Sequence, residues 1–172
     1  MAEVNQMITV RPAQPRDIGA IHRFIRELAA FEQAPDEVTS TPELLNDGLF
    51  GPNPAVEALI AEREVGGGTG EPVGFAMFYH TFSTWTGRRG IWLDDLYVSA
   101  DARGTGAGGA LLQAVARIAV ERECARFEWW VLDWNEPAIA FYRSRGAVAQ
   151  SEWTVQRVSG DALLALAGNA AG

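Results

Sequence analysis

The chain has 172 residues, 48% of them hydrophobic and 21% charged, with 22 acidic against 14 basic side chains and a formal net charge of −8. Such a composition suits one soluble globular domain and excludes a fibrous or disordered chain, while a single cysteine, Cys124, excludes an internal disulfide framework or a zinc cluster. The acidic excess argues against nucleic-acid binding and favours a cationic partner, and neither a bilayer-length apolar run nor a basic-then-apolar leader is present, so a cytoplasmic protein with no membrane association is expected.

In chain order, residues 8–11 read as a short strand closed by Pro12. Pro15 and Asp17 suit a first helical turn, after which Ile18, Ile21, Ile25 and Leu28 recur on one helical face as far as Phe31 and Glu32. Thr41 as N-cap, with Pro42 and Glu43 behind it, opens a shorter helix expected to turn Leu44, Leu45 and Leu49 inward. Residues 55–63 and 73–82 predict two strands joined by the glycine-rich connection 65–70, which no helix follows and which is therefore a hairpin connection and not a phosphate cradle. Arg88–Val98 predicts the next strand and 125–132 another, with Cys124 before it as a small buried hydrophobe. Asn135, Glu136 and Pro137 then cap a helix carrying Ile139, Phe141 and Tyr142 and ending near Gly146. Residues 148–158 are expected to close the sheet, and 161–167 to form at most a short helix. The expectation is one domain over residues 7–168 with flexible ends at 1–6 and 169–172: an α/β fold with a mixed sheet and a central crossover helix.

The most informative stretch runs from the end of the Arg88–Val98 strand into the next helix. A turn leads into Arg103-Gly104-Thr105-Gly106-Ala107-Gly108-Gly109, and Leu111, Leu112, Val115, Ile118 and Ala119 then continue at helical spacing. A glycine loop opening a helix offers unpaired amides and the positive end of the helix dipole, so it suits an anion, and Arg103 adds a forked cation at the rim. Gly104, Gly106 and Gly109 satisfy the dinucleotide pattern G-x-G-x-x-G, but that fold puts its loop after the first strand and needs several more βα units than the 63 residues after Gly109 supply. Arg103, Gly106 and Gly108 satisfy R-x-x-G-x-G, the coenzyme A pyrophosphate loop of the Gcn5-related N-acetyltransferases.

The resemblance to that family extends over nearly the whole chain. Residues 8–13 (ITVRPA), 26–29 (RELA), 73–77 (VGFAM), 93–98 (LDDLYV) and 131–137 (VLDWNEP), with Phe141-Tyr142 and Arg145-Gly146-Ala147, resemble the diamine (spermidine/spermine) and thialysine N-acetyltransferases. The resemblance implies a mostly antiparallel sheet of six to seven strands flanked by about four helices, transfer of acetyl from acetyl-CoA to a primary amine, no metal, and a homodimer. It further implies that coenzyme A is held by the backbone of Leu96, Tyr97 and Val98, by Arg103, Gly104, Thr105, Gly106, Ala107, Gly108 and Gly109, and by Asn135, Tyr142 and Arg145. Tyr142 matches the general acid of the family. Asp94 matches a glutamate that contacts substrate and relays its proton; being one methylene shorter, it favours relay through water. Glu32, Trp129 and Glu152 are the other expected substrate-binding residues.

Each of these residues has a plainer reading: an aromatic anchor for Tyr142, helix N-capping for Asn135, an exposed carboxylate for Glu32 or Glu152. His22 and His80 lack a second ligand at metal spacing and are assigned no role. Two other functions stay open at the sequence level, acetylation of a protein N-terminus or lysine and a non-catalytic acyl-CoA-binding module.

Overall fold

The computed structural model describes residues 7–64 and 70–168. The connection at 65–69 and the ends at 1–6 and 169–172, expected to be flexible, lie outside the described residues. The chain forms two compact units, Met1–Trp130 and Val131–Gly172.

The first unit is built on one sheet in which the strands follow chain order: β1 (Ile8–Pro12), β2 (Glu57–Arg63), β3 (Glu71–Ser83), β4 (Arg88–Val98) and β5 (Arg126–Trp129). β1 to β4 are antiparallel, and β5 joins β4 in parallel. A parallel neighbour needs a long crossover, which α3 (Ala107–Glu121) provides. On one face α1 (Ile18–Phe31) buries Ile18, Ile21 and Phe24 against Ala58 and Ile60 of β2, Phe75 and Met77 of β3 and Tyr97 of β4. Each such side chain contributes about 1.5–3 kcal/mol by leaving water. Strand alternation turns Leu59, Ala61, Ala76 and Phe78 to the other face, and there α3 packs along all five strands with Leu111, Leu112 and Val115 buried.

The entry to α1 is pinned electrostatically. Asp17, at 3% exposure, receives Arg11 Nη1 and Nη2 at 2.7 and 2.8 Å and the Gln14 amide at 2.7 Å, while Arg11 Nε donates to Glu62 at 2.9 Å. Burial pushes the Asp17 carboxyl up, but these donors outweigh it and hold the group below its usual range.

α2 (Pro42–Phe50) starts as its sequence predicts, with Thr41 Oγ1 accepting from the Leu44 amide at 3.3 Å. Leu44, expected inward, is 64% exposed: Leu45 and Leu49 stand four apart on the buried face, and Leu44 lies about 100° round the helix from Leu45. Cys124 is half-buried in the turn between α3 and β5, not fully buried.

The second unit contains α4 (Glu136–Arg143), capped by Asn135, and the short α5 (Gly160–Leu166). Residues 148–158 form no strand, so the sheet has five strands among the described residues and not six to seven. Val148, Trp153, Val155 and Val158 are exposed there; β-prone side chains do not by themselves make a strand, which also needs ladder pairing.

Candidate functional site

Two features of β4 organise the first unit's site. The register against β3 slips midway: Phe78 faces Leu93 but Met77 faces Asp95, leaving Asp94 without a cross-strand partner in a β-bulge. Uninterrupted alternation would place Asp95 on the face of Leu93. The extra residue reverses that parity, and Asp95 instead shares the face of Met77 and Tyr97, the side on which α1 packs. The other feature is an open edge. β5 pairs with β4 only from Gly90 to Leu93, so from Asp94 to Val98 the edge that β5 leaves carries no further strand among the described residues.

Three carboxylates meet at the bulge. Asp94 is exposed, Asp95 is half-buried, and Glu32 is the C-cap of α1. Burial, then the charges of Asp94 and Glu32, push the Asp95 carboxyl up to about 7, and burial raises Glu32 as well. Tyr79 on β3 is also raised, by burial and then by Asp94. A cluster of this kind stabilises a cation, and its central member exchanges a proton near neutral pH.

At the end of β4 the chain makes a short turn, Ala100–Ala102, and enters the glycine loop. Gly104 and Gly106 have φ of 81° and 90°, which only glycine adopts readily, and a β-carbon at either would meet nothing within 4 Å. Gly106 is the N-cap of α3, and its carbonyl accepts from the Ala110 amide at 2.9 Å, so the amides before Ala110 precede the helical ladder. The loop is therefore an open, positively polarised cradle. Arg103 is exposed at its rim, with its guanidinium over the rings of Phe31 (5.3 Å) and Tyr97 (5.9 Å) and its Nε donating to the Val98 carbonyl at 3.4 Å.

The remaining expected residues are distributed between the units. Leu96, Tyr97 and Val98 form the open edge, and Trp129 ends β5 opposite Leu93 with its ring 4.9 Å from Phe127. In the second unit Asn135 Oδ1 accepts from the Ala138 amide at 3.3 Å, the expected N-cap. The Tyr142 ring stands edge-on to Phe141 at 5.2 Å, and the Arg145 guanidinium folds back over Phe141 at 3.7 Å. Glu152 is exposed in the stretch expected as a strand.

Two residues beside the candidate site are not singled out by the sequence. Phe31 marks only the end of a helix in the sequence, although its place beside Glu32 is a usable signal. The altered environment of Asp95 has none, since the bulge is visible only across the strand pair.

An anion on the loop amides, an extended chain along the β4 edge and a cation at the carboxylates would thus meet on one strand. Residues 21–147 match the acetyltransferase (GNAT) family. The chain is 39% identical to a thialysine N-epsilon-acetyltransferase of Sus scrofa over 94% of this chain and 98% of that protein. It is 37% identical to spermidine/spermine N(1)-acetyltransferase-like protein 1 of Homo sapiens, over 92% of this chain and 23% of that protein. Among solved structures it is similar to an integron cassette protein from the mobile metagenome of V. cholerae, with a TM-score of 0.75, 25% identity and coverage of 93% and 97% of the two chains.

Proposed function

The chain belongs to the acetyltransferase (GNAT) family, and from that premise we propose that it moves acetyl from acetyl-CoA to a primary amine of a small substrate carrying at least two positive charges. One observation carries the reading. A single strand, β4, presents an open backbone edge running into the glycine loop and, at its bulge, the carboxylates Asp94 and Asp95 beside Glu32. The relatives named for thialysine and for spermidine/spermine support a substrate of this type.

The loop fits coenzyme A. Its pyrophosphate needs converging amides with no β-carbons in the way, and Gly104 and Gly106 leave that space open. The amides of residues 104–109, with Arg103, would hold the phosphates, and the backbone of Leu96, Tyr97 and Val98 would pair with the extended arm as an added strand. Asn135 and Arg145 are assigned to the same ligand by resemblance. When bound, acetyl-CoA supplies the activated acetyl group; orientation and proton movement fall to the chain.

An alkyl ammonium has a pKa of about 10.4 and must lose a proton before it can attack. Asp94 is exposed where it can receive the cation and relay its proton through water, with Glu32, Trp129 and Glu152 as further substrate contacts, and the neighbouring Asp95, pushed up to about 7, takes up that proton. Tyr142 returns a proton to the departing thiolate. Residues 7–168 are read as a single catalytic domain, since the family match runs across the boundary between the two units. The resemblance supports a homodimer, and the composition supports a cytoplasmic enzyme that binds neither nucleic acid nor membrane and needs no metal.

The raised Asp95 carboxyl gives a signed pH dependence. Below pH 7 it is protonated and cannot accept, so kcat/KM is expected to rise with pH through a limb near 7, while the amine gives a separate limb well above. In Asp95→Asn the lower limb disappears and the upper one stays. A wild-type profile flat from pH 5.5 to 8.5 would remove Asp95 from the proton path.

The functional reading is tested by following thiol release from acetyl-CoA with purified protein against polyamines, diamines, thialysine, lysine and amino-terminal peptides. A substrate with two or more positive charges is expected to be best. A polycation should lose efficiency steeply as salt is raised, whereas zwitterionic thialysine should change little, so the salt response separates these two candidates. If a monoamine or a peptide were best, with Asp94→Asn harmless to its turnover, the acidic site would not select the substrate.

A further inference from the structure

The segment leading into the glycine loop is fastened to the sheet by side chains outside the family's R-x-x-G-x-G pattern. The Ser99 amide and hydroxyl both donate to the Val73 carbonyl, at 2.8 and 2.9 Å. Ala102 is fully buried, and Thr105 Oγ1 donates back to its carbonyl at 2.7 Å. Between these points Arg63, the last residue of β2, reaches across to the turn. Its Nη2 donates to Asp101 Oδ2 at 2.9 Å and to Glu71 Oε2 at 2.7 Å. The Arg63 side chain is only 13% exposed, against 65% for Asp101 and 57% for Glu71. Its Nε is buried with no hydrogen-bond partner among the described residues, so these two carboxylates are what offset its lost hydration.

We propose that Arg63 is a positioning residue: through Asp101 it holds the Ala100–Ala102 turn in the conformation that delivers Arg103 and the loop amides, and so sets the affinity for acetyl-CoA without touching it. The inference rests on reading the glycine loop as the coenzyme A site. Its physical basis is population. Loop amides bind a phosphate only when they already converge, so if the competent conformation is populated for a fraction f of the time, the apparent dissociation constant rises as 1/f. A saturating donor recovers the competent state, so the effect falls on affinity and leaves turnover alone.

Asp101→Asn keeps the shape of the side chain and removes its charge. The KM for acetyl-CoA is expected to rise about fivefold, as for a competent fraction of about one-fifth, while kcat at saturating donor and the KM for the amine stay unchanged. Arg63→Met should give a similar rise, and the two substitutions together no more than either alone, because they remove one shared contact. The reciprocal exchange, Arg63→Asp with Asp101→Arg, restores opposite charges beside Glu71 and should recover most of the affinity. An unchanged acetyl-CoA KM in Asp101→Asn, or equal changes in both KM values, would overturn the role of the clasp. So would a loss that the exchange fails to recover, or a lowered Tm as the sole effect. Should Arg63 variants not fold, Asp101→Asn decides alone. Calorimetry on the wild type keeps the two readings apart: no acetyl-CoA binding there overturns the coenzyme site itself, whereas wild-type binding with an unaffected Asp101→Asn overturns the clasp only.

Discussion

Gly106→Glu is expected to abolish acetyl-CoA binding. Two effects act together at this residue. It sits at φ of 90° as the N-cap of α3, a conformation that costs an ordinary L-residue about 1–2 kcal/mol. The glutamate also brings a carboxylate to the point where loop amides and helix dipole favour an anion, so it competes with the pyrophosphate and repels it. Gly106→Ala separates the two, since alanine carries the strain without the charge. Calorimetry should show acetyl-CoA affinity lowered by about tenfold in Gly106→Ala, because the unliganded loop relaxes out of the strained conformation and binding must restore it, and no measurable heat in Gly106→Glu. The open space around this position means that neither side chain collides with the rest of the fold, so both variants should remain folded. Unchanged affinity in Gly106→Glu, or tight NAD binding by the wild type, would mean that the loop serves another ligand.

Tyr142→Phe should lower kcat by roughly tenfold to a thousandfold, the range for losing a positioned general acid, with little change in acetyl-CoA affinity. The ring remains and can still pack edge-on to Phe141, so the α4 environment is retained. The expected pattern is a fall in kcat and kcat/KM together, as for an interaction made in the transition state. Wild-type turnover in the variant would reduce Tyr142 to a packing residue and leave a water or the substrate ammonium to protonate the thiolate.

Much of the fold is legible in the sequence because it is encoded locally. Helix caps depend on a few neighbouring residues, and Thr41 and Asn135 cap where their side chains predict. β4 runs over Arg88–Val98 as its sequence predicts, since Ile91–Leu93 and Leu96–Val98 are β-prone on either side of Asp94-Asp95 and turn-forming residues bound the strand. The glycine loop is legible for the same reason: positive φ at Gly104 and Gly106, leading into a helix, is a property of one short segment. The placement of residues 148–158 is not local. That run has strand composition, but a ladder needs a second edge, and composition does not say whether one is in reach.

What the sequence by itself determined is the set of chemical groups and their local geometry: an anion cradle opening a helix, a carboxylate pair on the preceding strand, a tyrosine on a capped helix. Only the tertiary structure decided which way the carboxylates face. In the sequence Ile91, Leu93, Asp95 and Tyr97 alternate without a break, which puts Asp95 on the same face as Leu93. Pairing with β3 inserts Asp94 as an extra residue, reverses that parity, and turns Asp95 to the side of α1, where burial and the charges of Asp94 and Glu32 raise it to about 7. The Arg63–Asp101 contact, between residues 38 apart in the chain, has no sequence signature either. Both depend on register, a relation between strands, and register is set by how distant segments pack together.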